Sequence, residues 1–167
     1  MLNMHLYILT SHRDKFFIMS NTQTSAQILK LNDSEKKEIV SFLSTHLEEY
    51  GDSTEDIEKA VNYAMGLNSS PGGLLVTSWD KEELIGVAVT NRTGMDGYIP
   101  QNILVYIATH KEYRGIGIGK QLLGEIIEQS EGDIALHVEP DNPAKRLYES
   151  FGFNNKYLEM RLKKGGN

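Results

Sequence analysis

Cysteine is absent from the 167 residues, which excludes disulfides, thiolate metal ligands and a cysteine nucleophile. Long apolar runs are missing too. No stretch approaches the roughly 18 residues a membrane helix requires, so no membrane span is expected. The mildly apolar segment up to Met19 is interrupted by His12, Arg13, Asp14 and Lys15, and lacks the cationic start, apolar core and small-residue cleavage site of a signal peptide. These absences lead to a cytoplasmic expectation. Positive charge is also in short supply, with 17 Lys and Arg against 23 Asp and Glu, a net charge of −6. That balance argues against a nucleic-acid binder, which carries a basic stripe, and gives weak support to a cationic ligand. The five histidines show no spacing of the H-E-x-x-H kind, so no metal site is expected.

Apolar residues make up 40% of the chain, the ordinary share for a globular protein, and the length suits one domain with a real core. The most informative stretch is Arg114-Gly115-Ile116-Gly117-Ile118-Gly119. An apolar segment, Ile103 to Ala108, precedes it and reads as a buried strand. After it, Ile118, Leu122, Leu123, Ile126 and Ile127 recur at helical spacing. A strand, a glycine-rich turn and a helix form a device for holding phosphate. Glycines allow close backbone approach, and N–H groups converge at the positive end of the helix dipole. A phosphorylated cofactor is therefore expected.

Spacing narrows the choice. A dinucleotide fingerprint G-x-G-x-x-G would need glycine where Lys120 stands. A nucleotide-triphosphate loop would need glycine at Arg114 and a hydroxyl residue at Gln121. The remaining pattern, R-x-x-G-x-G, resembles the pyrophosphate-binding motif of the GNAT superfamily of N-acetyltransferases. A second block, Asp141 to Phe153, follows another short strand from Ile134 to Val138 and resembles that superfamily's N-x-x-A-x-x-L-Y-x-x-x-G-F signature. The same residues read as a short helix with Asn142 or Asp141 at its cap, Pro143 in its first turn and Gly152 at its end. Strict counting puts Asp141 at the asparagine position. Either Asp141 replaces the asparagine, or the entrance is one residue tighter and Asn142 takes the role.

The resemblance covers about residues 102 to 157 and implies a GNAT-like three-layer α/β sandwich with a mixed, mostly antiparallel central sheet. Pattern elsewhere is compatible. Ala26 to Leu31 reads as a first strand. Asn32 to Glu35 opens a helix with capping-box character, whose inward face is Ile39, Phe42, Leu43, His46 and Leu47. Ser53 or Thr54 caps a second helix carrying Ile57, Ala60, Val61, Ala64 and Met65. Leu74 to Trp79 and Leu84 to Asn91 read as strands, and Lys156 to Leu162 as a last one. Residues 1–20 match nothing in the family, while 21–167 read as a single domain. Exposed edges and the extra N-terminal residues allow a homodimer.

The resemblance also implies acetyl-CoA as the acyl donor and a primary amine, on a small molecule or a peptide, as the acceptor. Neither a nucleic acid nor a membrane is among the expected partners. The backbone of Arg114, Gly115, Ile116, Gly117, Ile118, Gly119 and Lys120 is expected to hold the pyrophosphate, with Arg114 shaping the loop or touching phosphate. The strand backbone at Ile107, Ala108 and Thr109 is expected to pair with the pantetheine arm, N–H groups near Tyr106 and Ile107 to polarise the thioester, and Asn142 to bind the cofactor arm. Tyr148 is the implied general acid, returning a proton to the thiolate. No carboxylate stands on the strand before the loop, so His137, alternating with Leu136 and Val138, is the candidate base; the alternative is a hydrogen-bonded core histidine. With no cysteine, direct transfer is expected over an acyl-enzyme. The alternatives are a catalytically silent acyl-CoA-binding module and an enzyme whose acceptor is a protein N-terminus or lysine. The acidic series Glu48, Glu49, Asp52, Glu55, Asp56 and Glu58 is expected either to rim the acceptor entrance or to form a solvated helix junction.

Overall fold

The computed structural model describes residues 31–164; the N-terminal extension and, apart from Leu31, the expected first strand lie outside them. Two compact units divide the chain after His137. In the first, helix α1 (Asp33–His46) starts at Asn32 in a full capping box: the Asn32 side chain accepts from the Glu35 N–H and Glu35 accepts from the Asn32 N–H, both at 2.9 Å. Its buried face is Ile39, Val40, Phe42 and Leu43. Helix α2 (Thr54–Ala64) is capped by Ser53 and buries Ile57, Val61 and Ala64.

Strands β1 (Gly73–Asp80), β2 (Glu83–Arg92) and β3 (Asn102–Thr109) pair antiparallel in sequence order, and β4 (Ile134–Leu136) joins β3 in parallel. Seven consecutive residues of β2, from Leu84 to Thr90, are buried, as befits a strand covered on both faces. One cover is the α1–α2 pair, which shares a core with Leu75, Trp79, Val87, Val89, Tyr106 and Ala108. The other is helix α3 (Ile118–Gln129), where fully burying each of Ile118, Leu122, Leu123 and Ile126 contributes about 1.5–3 kcal/mol. Gly86 on β2 allows that approach, since a Cβ there would lie 2.8 Å from Ile118 and 2.9 Å from Leu122. Helices, sheet and helix make the three layers, and the sheet is mixed as expected.

Ile127, expected on the inward face of α3, is exposed, and Glu125 is buried instead. Glu125 stands seven residues after Ile118 and so shares its face, whereas Ile127 points away. Burial raises the Glu125 carboxyl above its usual range, with Glu128 adding to the shift.

In the second unit, helix α4 (Lys145–Ser150) begins later than the sequence implies, with no side-chain cap on its first turn. Asn142 makes a local turn instead, its Oδ1 accepting from the Ala144 N–H at 2.8 Å. The helix ends in a Schellman motif. The Phe153 N–H donates to the Tyr148 carbonyl and the Gly152 N–H to that of Glu149, with Gly152 at φ +90°. The expected strand from Lys156 to Leu162 does not form. Leu158, Met160 and Leu162 are 85–92% exposed, and among the described residues no strand pairs with this segment.

Candidate functional site

The site starts from an irregularity in β3. Val89 faces Tyr106 but Thr90 faces Leu104, so Val105 is an extra residue, a β-bulge. Val105, Tyr106 and Ala108 consequently all pack toward the α1–α2 core. The bulge also resets which amides face β2. The His110 N–H donates to the Ile85 carbonyl at 2.9 Å, and alternation turns the Ala108 amide the same way. The amides of Ile107 and Thr109 therefore face the opposite edge. On that edge β4 pairs only with Asn102, Ile103 and Leu104. Among the described residues β3 has no strand partner there from Val105 onward, leaving an edge open to β-augmentation. Of the two amides expected to polarise a carbonyl, Ile107 faces this edge and Tyr106 does not.

The open edge runs into the glycine loop. Gly115 (φ +79°) and Gly117 (φ +101°) adopt left-handed conformations that L side chains resist, and nothing lies within 4 Å of where either Cβ would be. Gly117 is the N-cap of α3 and contributes no side-chain cap. The first helical bond runs from the Gln121 N–H to the Gly117 carbonyl. Among the described residues no backbone partner takes the N–H groups from Gly115 to Lys120. Free amides at the positive end of a buried helix fit an anionic phosphate, and the open edge beside them fits an amide-bearing arm.

Three contacts hold this loop. Arg114 turns back from it, its Nη1 lying 3.2 Å from Glu48 Oε2, its Nη2 donating to the His46 carbonyl at 3.1 Å and its Nε to that of Thr109 at 3.4 Å. The rings of Phe42, His46 and His110 pack in succession, tilted to one another, at centroid distances of 4.4 and 4.5 Å. Burial, helped by His110 and Arg114, lowers the His46 pKa. Tyr113, in the 3-10 turn Lys111–Tyr113, places its hydroxyl 3.0 Å from Asp80 and 3.1 Å from Glu83 at the end of the β1–β2 hairpin. The hydrogen bond to Asp80, then that to Glu83, pushes the Tyr113 pKa up to about 12.

Most of the acidic series is already engaged. Glu48 pairs with Arg114, Asp56 with Lys59 and Glu58 with Lys36. Asp52 instead accepts a hydrogen bond from Tyr106 Oη at 2.7 Å, a contact across 54 residues that no local spacing announces. The tyrosine of the second signature, Tyr148, is 8% exposed and makes an edge-on contact with Phe153 at 6.1 Å; burial pushes its pKa up to about 12. His137 differs from expectation. Strand β4 ends at Leu136, two residues before the expected end at Val138, so His137 is neither on the strand nor in the core but exposed.

The family model for the acetyltransferase (GNAT) domain matches residues 71–155, about half of the chain and both signatures. The chain therefore belongs to the GNAT acetyltransferase family. Solved structures share the fold. A possible acetyltransferase from Clostridium difficile 630 is similar at 18% identity and a TM-score of 0.60, over 82% of this chain and 95% of that one. A ribosomal-protein-alanine N-acetyltransferase from Brucella melitensis is 17% identical with a TM-score of 0.57, over 80% and 94%. An aminoglycoside N-acetyltransferase solved in complex with CoA is 14% identical with a TM-score of 0.60, over 80% and 91%. No curated protein sequence matches the chain. Among the described residues no helix is long and apolar enough to cross a membrane.

Proposed function

We propose that this protein transfers the acetyl group of acetyl-CoA directly to a primary amine. The observation that carries the reading is the continuity of two unsatisfied backbone surfaces, the edge of β3 after Val105 and the N–H groups from Gly115 to Lys120. The loop amides hold the pyrophosphate. The outward amides of Ile107 and Thr109 bind the pantetheine arm, with Ile107 nearest the acyl carbonyl. Acetyl-CoA, when bound, supplies the activated acetyl thioester. Tyr148, kept protonated by burial throughout the neutral range, gives a proton to the departing sulfur. Burial opposes that donation by raising the tyrosine, but raises the basicity of a thiolate in the same surroundings as well. His137, open to solvent, takes the proton from the attacking amine and passes it to bulk water.

Free-thiol release from acetyl-CoA, measured against amines, diamines, aminoglycosides, amino acids and N-terminal peptides, tests the reading. Release that depends on the acceptor is expected, and His137→Ala should lower it. Acetyl-CoA binding with no release across the panel would favour a binding module instead.

A further inference from the structure

Asp52 stands apart from the carboxylates around it. Glu48, Asp56 and Glu58 each have a cationic partner, whereas Asp52 has none among the described residues. Its Oδ2 accepts from the Tyr106 hydroxyl, and among the described residues nothing occupies its Oδ1. The carboxylate is exposed, but the tyrosine that holds it is only 7% exposed. A nearly buried arm thus presents one fixed anionic group to solvent. Burial and the hydrogen bond to Asp52 hold the Tyr106 pKa well above the tyrosine range, so the hydroxyl stays a donor.

Tyr106 immediately precedes Ile107, whose amide faces the open edge. The negative charge of Asp52 therefore stands one tyrosine side chain away from the point where acetyl transfer is placed above. That is too far to touch the attacking nitrogen, and suits a group a few bonds further along the same acceptor. We infer that Asp52, positioned by Tyr106, binds a second cationic group of the acceptor. The substrate class is then a dication: a short diamine, or a peptide with a basic side chain near its reacting amine. The inference rests on the acetyl-transfer reading only for where the first nitrogen sits. Pre-orientation by Tyr106 matters here, since an exposed ion pair between two mobile groups gains little.

Calorimetric titration of the CoA-loaded protein tests this, using diaminobutane against butylamine, and a lysine-bearing peptide against its norleucine counterpart. In Asp52→Asn the preference for dication over monocation should fall about ten- to hundredfold, the range of one charge-assisted hydrogen bond. Tyr106→Phe should lose part of the preference and Asp52→Glu should keep part of it. A preference confined to the diamine pair identifies the small molecule, and one confined to the peptide pair identifies the peptide. A wild-type protein without a preference, or one whose preference survives Asp52→Asn, overturns the inference. Failure to bind CoA would count against acetyl transfer alone. The same titrations on the free protein would still support Asp52 if the preference is present and lost in Asp52→Asn, and overturn it otherwise.

Discussion

Arg114 and Glu48, 66 residues apart in sequence, meet at 3.2 Å and fasten the glycine loop to the end of α1. Both side chains are 45% exposed, so the pair is worth about 0.2–1 kcal/mol in stability. Its value lies in fixing the loop. Arg114→Ala and Glu48→Gln should weaken acetyl-CoA binding by similar factors, and the double variant by little more than either. Full additivity would mean that Arg114 acts on phosphate independently of Glu48.

Gly117 caps α3 at φ +101° with open space above it. Forcing a side chain into that conformation costs about 1–2 kcal/mol, so Gly117→Ala should lower acetyl-CoA affinity about tenfold. Titration calorimetry measures this, with circular dichroism expected to be unchanged. Undiminished affinity would remove the loop from the binding site.

Tyr148→Phe keeps the aromatic contact with Phe153 and removes the proton. Turnover should fall at least about a hundredfold, the lower end of the range for general acid–base catalysis, with acetyl-CoA binding retained. Because the folded-state pKa is raised to about 12 from 10, the wild type should also lose stability as pH rises from about 10 toward 12. That loss should be smaller in Tyr148→Phe. Turnover equal to wild type would refute the acid role.

Glu125 is buried on α3, and among the described residues its Oε1 has no hydrogen-bond partner. Its raised pKa means the folded state favours the protonated form, so the residue supports stability at low pH and detracts once ionised. Glu125→Gln should therefore raise the melting temperature more at pH 8 than at pH 4. An equal shift at both would show that ionisation of Glu125 costs the fold nothing.

What could be read from the sequence was local. The capping box at Asn32 and Glu35, the β1–β2 hairpin and the strand–glycine–helix unit each depend on neighbouring residues, and each forms. The spacing of Tyr148, Gly152 and Phe153 has a local cause too, since the Schellman motif requires a contact between its first and last members. What escaped depends on partners. The bulge at Val105 exists only against β2, and the roles of Asp52 and Glu48 follow from Tyr106 and Arg114, far along the chain. Apolar alternation at Leu158, Met160 and Leu162 has the period of a strand, but none forms, and among the described residues no strand lies beside it to bond.

Residue-resolved amide exchange, with and without acetyl-CoA, tests the central claim most directly. Protection should appear at Ile107, Thr109 and the amides from Gly115 to Lys120. Ala108 and His110, already turned toward β2, should not change. Exchange at Ile107, Thr109 and the loop that is unaffected by acetyl-CoA would contradict the assignment of these surfaces as its site.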